Sequence, residues 1–175
     1  SKCGVPKEKI AGISFDATCS LVSLDRNDKP LSVSPTLNDE QNIIVWMDHR
    51  ALKETEEINE TGNEVLKYVG GRISPEMEIP KLLWLKRNLG DKFNQAAKFF
   101  DLADFMVYKA SGNDVRSVCT KVCKWTYLAH EKRWNHELFK TFELETLFDK
   151  KKIGEEIWDI GKAAGTLTSE SAKEL

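Results

Sequence analysis

No run of apolar residues in this sequence comes near the roughly 20 needed to span a bilayer; among the longest is Ile43–Met47. The opening segment, SKCGVPKEKI, lacks the apolar stretch of a secretory signal, and no membrane partner is expected. Cysteine is scarce. Four residues (Cys3, Cys19, Cys119 and Cys123) in a chain of 175 do not make a disulfide framework, and reduced thiols in a cytoplasmic protein are the simpler expectation. A dominant charge is missing too: 26 Lys and Arg against 28 Asp and Glu leave a net charge of −2. No nucleic-acid partner is expected, because no global basic field exists to attract one. Glycine-rich phosphate cradles, dinucleotide fingerprints and nucleophile elbows are also absent. Gly70-Gly71 and Gly112 instead follow helical patterns, where a terminating glycine is ordinary.

What remains is an ordinary globular composition, 41% apolar and 31% charged, in a length that suits one domain. Strand signals cluster early. Ile10–Phe15 and Cys19–Leu24 are apolar or β-branched runs, DRNDKP is a polar turn before a third short strand, and NIIVWMD reads as a strand buried in a sheet. From Arg50 the period becomes helical. ALKETEEINETG reads as a surface helix, NEVLKYVGG as a shorter one, and EIPKLLWLKRNLG as a helix with proline near its start and glycine at its end. DKFNQAAKFFDLADFMVYKASG predicts two helices broken near Phe100–Asp101, and NHELFKTFELETLFDKKKIGEEIW continues the pattern. The sequon at Asn59–Thr61 carries almost no weight without a secretion signal. The fold class is α/β or α+β, a sheet flanked by helices.

Several polar constellations invite a function. Cys119, Cys123, His130 and His136 are spaced C-x3-C-x6-H-x5-H, a central gap about half the roughly 12 residues of a zinc finger. No metal site is assigned; the two cysteines read as small apolar residues on one helix face. Asp48 in WMDHRA lies at a strand end, either in a ligand site or as a cap for the next helix. Arg116, Lys121 and Lys124 read as a solvated face, or as including one buried lysine that serves a ligand. Asp101 is placed as an N-cap, and Asp104 as an interior hydrogen-bonding group. Glu76 and Glu78 open SPEMEIPKLLWLK, where they could serve helix capping or hold something hydroxylated.

Five segments in order, GISFDATCSLVSLD, IIVWMDHRA, YVGGRISPEMEIPKLLWLK, FFDLADFMVYKASG and RSVCTKVCKW, resemble the N-terminal domain of the FGGY carbohydrate kinases, in the ribulokinase-like branch. Xylulose kinases usually carry glutamine-methionine-histidine-glycine where this chain reads FDATCS, and glycerol kinases an arginine-glutamate pair. The resemblance implies a portion of a ribonuclease H-like, actin-like ATPase fold, with a mixed sheet flanked by helices. It also implies that residues 1–175 are a piece of the sugar-binding domain. The phosphate loop is then expected upstream of Ser1 and the C-terminal ATP domain downstream, with the catalytic base aspartate beyond Leu175. No catalytic residue is expected in this chain, which alone should not turn over.

The implied activity is ATP-dependent phosphorylation of a ketopentose, D-ribulose to D-ribulose 5-phosphate ahead of L-ribulose, xylulose or ribitol. ATP and Mg2+ would be held mainly by parts outside this chain. A non-catalytic sugar-binding or regulatory relative is the alternative, and a homodimer stays open. Carried over residue by residue, the resemblance implies that Thr18 and Cys19 contact the sugar, with Asp16 orienting their loop. It implies Trp46 as an aromatic wall, Glu76 as an acceptor for hydroxyls, Lys124 as a donor to a hydroxyl or carbonyl, and Asp48 as a further contact. Glu78 is left as the first-turn acid that a helix dipole favours.

Overall fold

The computed structural model describes residues 4–174; Cys3 lies outside them. At its centre, β1 (Leu21–Leu24) is flanked on both sides by antiparallel neighbours, β2 (Ile43–Ile44) and β3 (Lys98–Asp101). Register pairs Leu21 with Ile44 and with Asp101, and Val22 with Ile43 and with Phe100. Successive strand residues face opposite sides. Leu21 and Phe99 thus enter the main core, while Val22, Leu24 and Phe100 form a smaller one under Leu102, Phe105 and Tyr108. Both faces of β1 are covered, which is why LVSL shows no polar alternation.

The early strand expectations need correction. Residues 10–19 form no strand, and Ile10 and Ile13 are each about half exposed. A run of β-branched residues becomes a strand only where a partner accepts its backbone hydrogen bonds, and no described strand runs beside this one. The third strand reduces to a single bridge between Leu24 and Pro30 across the predicted turn, where Asp25 Oδ1 accepts from the Asn27 and Lys29 amides. NIIVWMD supplies only the short edge strand β2, with Ile43 and Val45 exposed.

Helices fill the rest. α1 (Leu52–Glu60) turns Ile58 inward, and Asn59 bonds both backbone groups of Ile73, its Oδ1 accepting at 2.7 Å and its Nδ2 donating at 3.2 Å. NEVLKYVGG forms a 3-10 helix, Glu64–Val69, capped by Asn63 and closed by Gly70 at φ +81°, a left-handed turn that glycine takes without strain. α2 (Glu78–Asn88) tolerates Pro80 because the first four amides of a helix lack intrahelical acceptors. It does not stop at glycine as expected. Leu89 caps it, and Gly90 begins α3 (Gly90–Gln95).

The expected break near Phe100 is the strand β3 itself, whose pairing to distant β1 has no local signature. Asp101 then caps α4 (Leu102–Ser111), as expected. β4 (Val115–Ser117) leads into α5 (Val118–Trp125), capped by Ser117. The C-terminal pattern resolves into α6 (His136–Thr141), α7 (Thr146–Asp149), β5 (Glu156–Trp158) and α8 (Ser171–Glu174). β5 pairs in parallel with β4, so the strands divide into two small sheets among helices. No helix among the described residues is long and apolar enough to cross a membrane.

Candidate functional site

The loop before β1, the turn after β2, the loop before α2 and the last turn of α5 meet at one place. Thr18 and Ser20 share a hydroxyl hydrogen bond of 3.1 Å, and the buried Ser20 Oγ accepts from the Trp46 amide at 3.1 Å. Trp46 is thus pinned to the loop that carries Thr18 and Cys19. Glu76 sits in a turn held by Ser74, whose Oγ accepts the Glu76 amide and whose carbonyl accepts the Met77 amide. The Glu76 carboxylate, about a third exposed, meets His49 Nε2 at 3.2 Å. Lys124 brings its Nζ to 3.5 Å from the Glu76 carbonyl and 5.9 Å from the centre of the Trp46 indole, a long but attractive cation–π distance.

Trp46, Lys124 and the Glu76 main chain therefore meet at one spot, with the Glu76 carboxylate turned to His49. Thr18 and Cys19 join it through Ser20, while Asp16 lies exposed farther up the loop. Asp48 is engaged differently. Its Oδ1 accepts from the Arg50 amide and Nε, and its Oδ2 from Nη2 at 2.7 Å; these bonds hold its carboxyl below the usual range. Arg50 in turn donates to the Val33 carbonyl and lies over Trp84, so Asp48 shapes the turn that carries Trp46. The N-cap of α1 is Ala51, so capping that helix is not the role of Asp48.

Beneath this spot lies a cluster of buried charges. Glu78 and Lys81 are fully buried, with Lys81 Nζ 3.7 Å from Glu78 Oε1. Neither Glu78 oxygen has a hydrogen-bond partner among the described residues, and burial pushes its carboxyl up to about 8, against the pull of Lys81. Asp101 is raised to about 6 by burial and by the charge of Asp104. Cys19 is raised to about 11 by burial and by Asp101, so it is a neutral thiol at pH 7 and can donate. Lys121, fully buried, is lowered to about 7 by burial and by Arg116.

The solvated-face reading of Arg116, Lys121 and Lys124 is overturned for the first two. Arg116 is buried, paired with Asp114, donating to the Phe99 carbonyl and stacked 3.6 Å from the centre of the Phe100 ring. Cys119 and Cys123 are exposed and do not pack as core residues. His130 meets the Tyr68 hydroxyl, and His136 lies against Phe148. Asp104 plays its expected interior part, accepting from the Ser117 amide and the Thr120 hydroxyl.

Glu78 and Lys81 were visible in principle. With Leu82 and Leu85 they occupy positions i, i+3, i+4 and i+7 of α2, the face that turns to the core. Charged residues on an apolar stripe mark a buried polar site, a signal that the first-turn reading of Glu78 passes over.

A family model described as the FGGY family of carbohydrate kinases, N-terminal domain, matches residues 1–173. A Homo sapiens FGGY carbohydrate kinase domain-containing protein is 46% identical over 176 residues, covering 98% of this chain and 32% of that one. A D-ribulokinase of Saccharomyces cerevisiae is 49% identical over 151 residues, covering 82% of this chain and 21% of that one. The chain thus spans a third or less of these relatives. Among solved structures, a gluconate kinase from Lactobacillus acidophilus superposes with a TM-score of 0.75 at 23% identity, covering 95% of this chain and 32% of that one. This likeness bears out the expected α/β, actin-like ATPase fold class.

Proposed function

The chain belongs to the FGGY family of carbohydrate kinases, and from that membership we propose that it is the sugar-binding part of an ATP-dependent kinase acting on a ketopentose, D-ribulose first. The observation that carries the reading is the meeting of the Trp46 indole, the Lys124 ammonium and the Glu76 main chain, from three separate segments, at one spot beside the Glu76–His49 contact. The similarity to a yeast D-ribulokinase supports the choice of sugar.

A ketopentose offers little apolar surface, so its binding energy must come from directional hydrogen bonds. Glu76 has carboxylate lone pairs left after His49 and can accept from adjacent hydroxyls. Lys124, whose hydrogen bond to the Glu76 carbonyl is a long 3.5 Å, has N–H groups to offer a carbonyl or hydroxyl oxygen. Thr18 and Cys19 add short donors, and Trp46 gives sugar C–H groups an apolar surface. Asp48 holds the Trp46 turn through Arg50, and Asp16 orients the loop from its exposed end. A missing hydroxyl would strand one of these partners at a cost of about 1–3 kcal/mol, which is how such a site discriminates.

ATP and magnesium do not fit the residues present. The sequence has no glycine-rich cradle, and no group of three or more His, Cys, Asp or Glu among the described residues could hold a metal ion. We assign both, together with the base, to other parts of the full-length protein. In that division of labour this domain supplies position and exclusion of water.

The test is to assay the full-length protein with ATP against a panel of ketopentoses and polyols. ADP formation with D-ribulose above the others is expected. No ADP with any ketopentose rejects the kinase reading, and sugar binding without ADP would favour a non-catalytic binder.

A further inference from the structure

Lys81 donates at 3.2 Å to the main-chain carbonyl of Trp46 and at 3.2 Å to that of Glu76. These carbonyls belong to different segments, the turn after β2 and the loop before α2, which share no backbone–backbone hydrogen bond among the described residues. An ammonium has three donors. Two are used here, and the remaining charge faces Glu78 at 3.7 Å. The side chain is wholly buried, so no solvent molecule competes for it.

We propose that Lys81 is a positioning residue of the sugar site, tying Trp46 to Glu76 and so setting the distance between the indole wall and the acid. The proposal rests on the sugar-site reading above. An ion pair kept only for stability would be an odd choice at this place. Removing two ionisable groups from water is costly, Glu78 finds no hydrogen bond among the described residues to offset its share, and an apolar pair of similar volume is often at least as stable. What an apolar pair cannot do is donate to two carbonyls at once. The same Glu76 carbonyl also faces Lys124, so Lys81 anchors the point at which the Glu76 main chain, the Lys124 ammonium and the Trp46 turn meet.

The experiment uses the full-length protein and compares Lys81→Met, the double variant Lys81→Met/Glu78→Met, and Glu78→Gln. Lys81→Met alone should lose stability, because it removes the donor from two main-chain carbonyls and the nearest cation from the buried Glu78 carboxyl. The double variant should recover the melting temperature. Amides of residues 45–49 and 74–78 should nevertheless exchange with deuterium about tenfold faster than in the wild type, because their shared tie is gone. The KM for the sugar should stay about tenfold raised, with kcat and the KM for ATP changed far less. Glu78→Gln, which keeps the Lys81 donors, should retain the wild-type sugar KM.

Wild-type exchange in those segments, or a wild-type sugar KM in the double variant, overturns the proposal. So does a Glu78→Gln enzyme whose sugar KM shifts as much as that of Lys81→Met. If the wild type phosphorylates no sugar, the kinase reading fails by itself, and the exchange measurement still decides whether Lys81 forms the tie.

Discussion

Lys124 holds its ammonium 5.9 Å from the centre of the Trp46 indole, although the one closes a helix and the other follows a strand far earlier in the chain. The contact joins the last turn of α5 to the edge of the three-stranded sheet. Lys124 is only partly buried and packs into neither hydrophobic core. Lys124→Ala should therefore leave the melting temperature of the full-length protein almost unchanged. It should raise the KM for the sugar by about 10- to 100-fold, as expected for one lost charged hydrogen bond. Steady-state kinetics beside a thermal melt separate the two effects. An unchanged KM removes Lys124 from the site.

Glu76→Ala removes an acceptor without touching the core. The expected loss in kcat/KM is about 1–3 kcal/mol, since the sugar hydroxyls it accepts from would lose a charged partner. The decisive comparison is between D-ribulose and an analogue lacking one hydroxyl. If Glu76 accepts from that hydroxyl, the variant discriminates less between the two sugars. Equal discrimination in variant and wild type would exclude the contact.

Gly154 lies against Arg116, and a Cβ there would fall 2.5 Å from the guanidinium Nε on a backbone at φ +77°. Gly154→Ala combines a left-handed strain with displacement of a buried guanidinium that is bonded to Asp114 and to the Phe99 carbonyl. Urea unfolding should show a loss of at least about 1–3 kcal/mol. A neutral outcome would mean that Arg116 has room to move.

Lys121 gives a pH dependence with a definite sign. Its ordinary value of 10.5 is lowered to about 7 in the folded protein by burial and by Arg116, against Asp104, Asp101 and Glu78. Below pH 7 it is charged in both folded and unfolded states, and the folded state bears the full desolvation penalty. Between about 7 and 10.5 the unfolded chain binds the proton and the folded one does not, so this group's contribution to stability rises with pH. Lys121→Met should accordingly stabilise the protein more at pH 6 than at pH 9, in denaturant melts at both. A gain independent of pH would mean that Lys121 titrates normally.

Local physics made much of the fold legible. The capping of α4 by Asp101, the glycine stop at Gly70, the Asp25 turn and the core stripe of α2 all follow from residues within a turn of one another, where sequence spacing is spatial spacing. The residue types proposed for the sugar site were also readable, through the resemblance of five ordered segments. Long-range pairing was not. Residues 10–15 carry Ile10, Ile13 and Phe15 but pair with no described strand, whereas KFFD, set in a helical pattern, becomes β3 because β1 lies beside it. Burial of charge likewise belongs to tertiary structure. Arg116 and Lys121 read as a solvated face until other elements close over them, and Lys81 reaches the Trp46 carbonyl only because the turn after β2 lies beside α2. Propensity and capping are sums over neighbours in the chain, while desolvation and strand partnership depend on neighbours in space, which no single segment encodes.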